Sequence, residues 1–165
     1  MWYVYIIRSI NFPEQEYMAT QIFVDSDACP VKDEAIRVAT RYSLHITLVS
    51  NQGMRPISAE NIKQIVVGAK FDEADDWIVD HATAGDIVIT ADIQLAARCL
   101  KNGCKALSHA GSLFTAQNIG SALAMRELNA HLRETGEIKG YNPSFSKKDR
   151  SQFLQSLDML IQKSS

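Results

Sequence analysis

Apolar and polar positions change period along this chain, and each change marks an element. QIFVD (21–25) is a compact apolar run ending on a carboxylate, which predicts a strand. In PVKDEAIRVATRY (30–42), Val31, Ala35, Val38 and Ala39 share one helical face, and Pro30 suits a first helical turn. HITLVS (45–50) and IKQIVVG (62–68) predict two more strands, separated by the loop NQGMRPIS. DEADDWIVDHA (72–82) predicts a helix with Ala74, Trp77, Ile78 and His81 along one side. GDIVITAD (85–92) is a turn and a fourth strand, and IQLAARCLKNG (93–103) is a helix closed by glycine. CKALS (104–108) is a short fifth strand. FTAQNIGSALAMRELNAHLRETG (114–136) holds a long helix that stops at Gly136. In KKDRSQFLQSLDMLIQK (147–163), Phe153, Leu154, Leu157, Leu160 and Ile161 recur at helical spacing.

Strands dense in Val and Ile that alternate with helices predict an α/β protein with a mostly parallel central sheet covered on both faces, a three-layer α/β/α arrangement. Ligands of such sheets bind beyond the carboxyl ends of the strands. Residues 1–17 do not join smoothly to this pattern: WYVYII is a strand candidate and NFPEQE a turn. They are read as an N-terminal extension to one domain over 18–165.

A length of 165 residues suits one domain with a full core, and 46% hydrophobic with 22% charged residues suits a soluble globular chain. The net charge of -2 gives no global attraction to nucleic acid or to an anionic membrane. A bound metal would supply the positive charge that the average lacks. Cys29, Cys99 and Cys104 form no metal-ligand spacing and read as free thiols of a reducing compartment. No apolar run of membrane-spanning length occurs and the start lacks a basic leader, so the cytoplasm is the expected location.

The carboxylates carry the chemistry. Asp25 ends the first strand, Asp27 lies two residues on, and Asp92 follows the fourth strand; Asp75 and Asp76 lie in the first turns of the helix before that strand. If the first and fourth strands are neighbours, these groups meet at one rim. Such a cluster is costly unless protons or cations neutralise it. Mg2+ or Mn2+ favours oxygen donors and often keeps several waters. Each residue also has a plainer use: Asp25 in a turn, Asp27 and Asp92 as helix N-caps, and Asp72 as the cap of the second helix, with Asp75 at the capping-box offset. Of the Asp75–Asp76 pair, the reading leans to Asp76 as the inward group.

Cys29, at a helix entry, has no histidine near it in sequence and reads as a small packing residue rather than a nucleophile. His109 lies in a loop after the fifth strand. Asn51 either orients a ligand or makes an Asx-turn. Arg55, in the loop after the second strand, and Lys148 and Arg150, at the start of the last helix beside Lys147, are candidate phosphate contacts. Basic residues at a helix start oppose the helix dipole, which strengthens a functional reading. No GxGxxG or Walker A pattern is present.

VDSDACPVKDE, FDEADDWIVDHA, GDIVITADIQLAARCLKNG, LFTAQNIGSALAMRELNAHLRE and FSKKDRSQFLQSLD together closely resemble the YaiI/YqxD family of bacterial proteins, also called UPF0178 or DUF188. The resemblance runs from about Met18 to Ile161. It implies a PIN-like α/β/α domain of unproven function. PIN-like domains are similar in setting acidic residues around a divalent metal and often cleave RNA. On that resemblance Asp25 and Asp92 match the aspartates after the first and fourth strands, Asp75 or Asp76 the acidic position in the preceding helix, and Asp27 the second aspartate of a DADAC-like segment. His109 and Ala110 depart from the family's NPRG-like loop, so a loop arginine is absent. Residues 3–5 and 17–19 resemble the two halves of the GIY-YIG nuclease motif, without the rest of that domain.

The leading expectation is a metal-dependent nuclease, hydrolysing phosphodiesters and RNA first among them. Asp25, Asp92 and one or both of Asp75 and Asp76 would hold Mg2+ or Mn2+, with Asp27 beside them. The alternatives are a nucleic-acid-binding or regulatory module without catalysis, and a hydrolase of small phosphates.

Overall fold

The computed structural model describes residues 5–6, 19–139 and 144–164. In chain order the strands are β1 (Tyr5–Ile6), β2 (Ile22–Asp25), β3 (Ile46–Ser50), β4 (Ile62–Val66), β5 (Ile87–Ile89), β6 (Lys105–Leu107) and β7 (Leu113–Phe114). The helices are α1 (Lys32–Arg41), α2 (Glu73–His81), α3 (Ile93–Lys101), α4 (Ile119–Glu134) and α5 (Lys147–Ser164). All seven strands form one sheet in the order β1-β4-β3-β2-β5-β6-β7. The five inner strands are parallel, and β1 and β7 close the edges antiparallel.

Side-chain alternation explains the layers. In β2, Ile22 and Val24 face one side and Phe23 the other; in β5, Ile87 and Ile89 face the first side and Val88 the second. The first side packs against Val31, Ala35 and Val38 at α1 and against Phe153, Leu157 and Ile161 of α5. The second packs against Ala74 and Ile78 of α2 and Leu95 and Cys99 of α3. Phe153 and Leu157 are fully buried, a contribution of about 1.5–3 kcal/mol each. The α/β/α expectation therefore holds, and every strand and helix predicted within the described residues is present with ends trimmed by a few residues.

The chain runs outward from β2 to β3 and β4, then returns through α2 to place β5 on the other side of β2. The strand order reverses between β2 and β5, and the helices that follow them, α1 and α3, lie on opposite faces of the sheet. A crevice opens at such a point beyond the carboxyl ends of the two strands.

Two elements differ from the pattern. Residues 114–118 do not extend α4: Leu113–Phe114 pairs with β6, and Asn118 accepts from Thr115 N–H at 2.8 Å and donates to the Leu113 carbonyl at 2.9 Å. The asparagine amide competes with helical bonds there. Gly111, at φ +84°, makes the turn into β7, and a Cβ on it would lie 2.6 Å from the Gln152 carbonyl. The N-terminal strand candidate is found in part, since Tyr5 and Ile6 pair with Val66 and Ile65. Of the residues resembling the GIY-YIG motif, 3, 4, 17 and 18 lie outside the described ones.

Candidate acidic site at the strand switch point

Asp25 is the last residue of β2, and Thr90 follows β5 beside it. The fully buried Thr90 hydroxyl accepts from Asp92 N–H at 2.9 Å and donates to Asp25 Oδ2 at 3.0 Å. Accepting from one aspartate's amide directs its own proton to the other's carboxylate. Thr90 thus ties the two strand ends, a role that neither its residue type nor its position announces. Burial raises the Asp25 carboxyl to about 6, against the Thr90 hydrogen bond and with help from the charges of Asp27 and Asp92.

Asp92 caps α3. Its Oδ1 accepts from Gln94 N–H at 2.8 Å and Leu95 N–H at 3.3 Å, so the plainer reading of this residue is correct as far as it goes. One oxygen serves as the cap while the carboxylate's charge acts on Asp25 and Asp75.

The acidic pair in α2 divides in the sense opposite to the lean from sequence. Asp76 pairs with Arg98 at 2.8 Å, both half exposed. Asp75 faces the cluster: burial, then the charges of Asp25, Asp92 and Asp72, push its carboxyl to about 7, with Arg98 opposing. The helix turn of roughly 100° per residue separates neighbours this way. Arg98 is thus the cation beside the cluster, and it was not anticipated. On the sequence it reads only as a basic residue in the last turn of α3, beside Lys101.

Asp27 is turned away from α1. It accepts from the Ser50 hydroxyl and from Asn51 N–H at 2.8 Å, so it fastens the end of β3. Ala28, at φ 54°, makes a tight turn between Asp27 and the entry to α1. The helix-cap reading of Asp27 is corrected: α1 has Val31 at its N-cap and no side-chain cap. Asp72 likewise makes no capping bond; its backbone is left-handed at φ 67°.

The candidate phosphate contacts fare unevenly. Asn51 donates to the carbonyls of Gly68 and Lys70 at 3.0 and 3.1 Å, which commits its amide to loop closure. Arg150 ion-pairs with the buried Glu34, donates to the Pro30 carbonyl at 3.5 Å and lies 5.2 Å over the Phe145 ring. Burial works against the Glu34 charge, but the Arg150 hydrogen bond and charge outweigh it and hold this carboxyl below its ordinary value. Arg150 is therefore corrected from a phosphate contact to a structural ion pair. Its helix has an offset for the unfavourable basic start: Ser146 and Asp149 form a reciprocal capping box, with Ser146 N–H to Asp149 at 2.9 Å and Asp149 N–H to Ser146 at 3.1 Å. Lys148 and Arg55 are exposed. The thiol of Cys29 is pushed up to about 11 by burial, which suits a packing role. His109 has its Nε2 buried without a partner among the described residues, and burial lowers its pKa.

Beside Asp92 lies a cavity of about 620 Å³ between the start of α3 and the face of α4. Asp92 and Ile93 line one wall, and Met125, Arg126, Asn129 and Arg133 the other. Helix α4 has no fully buried residue. The two arginines escaped notice because their spacing reads as the solvated face of a helix.

Asp25 and Asp75 are oxygen donors whose charge is unfavourable without a nearby cation. Among the described residues, no three carboxylate, imidazole or thiol groups stand close enough to hold a metal by themselves.

These features define an α/β protein with an open, doubly wound sheet and an acidic rim at its switch point. The family model described as the uncharacterised BCR, YaiI/YqxD family matches residues 23–163, and the chain belongs to that family. It is 57% identical over 143 residues to a UPF0178 protein of Parvibaculum lavamentivorans, covering 87% of this chain and 94% of the relative. It is 54% identical to UPF0178 protein Atu1478 of Agrobacterium fabrum, covering 84% and 90%. No solved structure matches. Among the described residues no helix is long and apolar enough to cross a membrane.

Proposed function

We propose that this protein is a divalent-metal-dependent phosphodiesterase acting on nucleic acid, RNA first among substrates. The observation that carries the reading is the set of Asp25, Asp75 and Asp92, which interact electrostatically at the switch point, with burial and mutual repulsion raising Asp25 to about 6 and Asp75 to about 7. A protein that keeps such repulsion at a ligand crevice has a use for it. The resemblance of the acidic segments to those of PIN-like domains supports the same reading.

Asp25 and Asp75 would hold Mg2+ or Mn2+, with Asp92 presenting its charge from the α3 cap. Such an ion, when bound, acidifies water and neutralises charge developing on phosphate. Thr90 fixes the Asp25 carboxylate against rotation, and Asp27 holds the β3 end so that the crevice keeps its width. Asp76 keeps Arg98 beside the cluster, where it offsets part of the negative charge that would repel a phosphate.

The test is cleavage of labelled single-stranded and duplex RNA and DNA with Mn2+, beside p-nitrophenyl phosphate, for the parent, Asp25→Asn and Asp75→Asn. Turnover of oligonucleotides lost in both variants is expected. No turnover, together with Mn2+ titration heats unchanged by Asp25→Asn, would overturn the proposal. Turnover of the phosphomonoester alone would make the protein a small-phosphate hydrolase. A second reading, binding without catalysis, draws on the lack of a ready three-ligand group among the described residues. It requires nucleic-acid binding that survives Asp92→Asn, with no turnover in the parent.

A further inference from the structure

We infer that the cleft between α3 and α4 is a binding track for a single phosphodiester strand, with Arg126 and Arg133 as its phosphate contacts. The inference rests on the phosphodiesterase reading, because Asp92 belongs to both sites. It replaces Arg150 and Asn51, whose polar groups are spent on Glu34 and on loop carbonyls.

Three observations support it. The cleft is open and holds about 620 Å³, within the range of pockets that bind small or segmental ligands. Both arginines are exposed, and among the described residues neither has a carboxylate partner, whereas Arg37, Arg41, Arg98 and Arg150 all do; Arg55 is also unpaired but does not line the cleft. Unpaired guanidiniums beside an acidic rim suit an anion that must approach that rim against its charge.

The spacing selects the ligand. Arg126, Asn129 and Arg133 lie on one stripe of α4 at offsets of three and four residues. Seven residues of helix separate the two guanidiniums by about 10 Å along the axis. That places them on different phosphates of a strand rather than in a fork on one phosphate. Asn129, between them and half-buried, offers an amide to a sugar or base edge. Met125 and Ile93 supply apolar surface against which a base can lie. A concave cleft of this size takes one strand; a duplex presents a convex surface that would meet only its lip. Basic grooves with apolar platforms are the common means of holding single strands.

The experiment is fluorescence anisotropy with a 5′-labelled ten-nucleotide oligo(U) in EDTA, titrated from 50 to 300 mM KCl. EDTA separates binding from any metal-dependent step. The parent is expected to bind, with affinity falling as salt rises. Arg126→Gln and Arg133→Gln should each weaken binding about three- to tenfold and reduce the logarithmic salt slope by about 0.7. Their urea midpoints should match the parent's, since neither side chain is buried. Equal binding by the parent and both variants would overturn the inference, as would equal competition by a duplex of the same length or by inorganic phosphate at matched phosphate concentration. If nothing is cleaved but binding depends on both arginines, the phosphodiesterase reading fails and the track stands; if cleavage needs Asp25 and both arginine variants keep the parent's KM, the track fails and the phosphodiesterase stands.

Discussion

Asparagine at position 25 should make this protein more stable at neutral pH while removing its proposed ion. In the fold, burial raises the Asp25 carboxyl from 3.8 to about 6. The unfolded chain ionises it at the ordinary value. The native state therefore favours the protonated form, and that stability is fully present below about pH 4 and is lost as pH rises through about 6. The shift is about two units, at 1.36 kcal/mol per unit, and solvent screening at a partly exposed group cuts the sum to about 1–2 kcal/mol. Asparagine carries no charge at any of these values, and its side-chain oxygen can still accept from Thr90. Urea denaturation in EDTA should show Asp25→Asn ahead by that margin at pH 8 and level with the parent at pH 4. At this chain length the pH 8 gain corresponds to about 2–8 °C in Tm. Mn2+ should then stabilise the parent and not the variant, because only a native state that binds the ion gains from it. A variant less stable than the parent at pH 8, or a gap that does not close by pH 4, would refute the burial argument.

Position 92 separates charge from capping: Asp92→Asn keeps the oxygen that α3 uses and should leave stability within about 0.5 kcal/mol, while Asp92→Ala should lose about 1 kcal/mol by urea denaturation. Arg150→Met should cost about 1–3 kcal/mol, because it strands the buried Glu34 carboxylate while Arg150 itself is partly solvated. A variant as stable as the parent would return Arg150 to the candidates for phosphate contact. Gly111→Ala should lose at least about 2 kcal/mol by thermal melting, since the left-handed backbone and a Cβ against the Gln152 carbonyl both resist it.

The alternation of strands and helices was legible because burial imposes a period of two on strands and 3.6 on helices, and those periods persist in Ile22–Val24, Ala35–Val38 and Phe153–Leu157. The position of Asp25 and Asp92 at strand ends was legible for the same reason: each stands where an apolar run stops. Their meeting at one rim depended on β2 lying beside β5, which follows from a crossover through α2 that no local pattern encodes. Side-chain direction was likewise decided in three dimensions. Asp75 and Asp76 are equivalent as residue types; the helical turn sends them in different directions, and only the packing of α2 beside α3 decides that Asp76 meets Arg98 and Asp75 meets the cluster. Asp27 and Arg150 looked free as letters in a chain, but both are held by partners distant in sequence, Ser50 and Asn51 for one and Glu34 for the other. The two exposed arginines of α4 come beside Asp92 only through the packing of that helix against α3. The chain by itself determined which segments would be buried and which carboxylates would stand at their ends. Tertiary structure decided which charges are neighbours, because Coulomb energy and hydrogen bonding depend on distance in space, where separation along the chain counts for nothing.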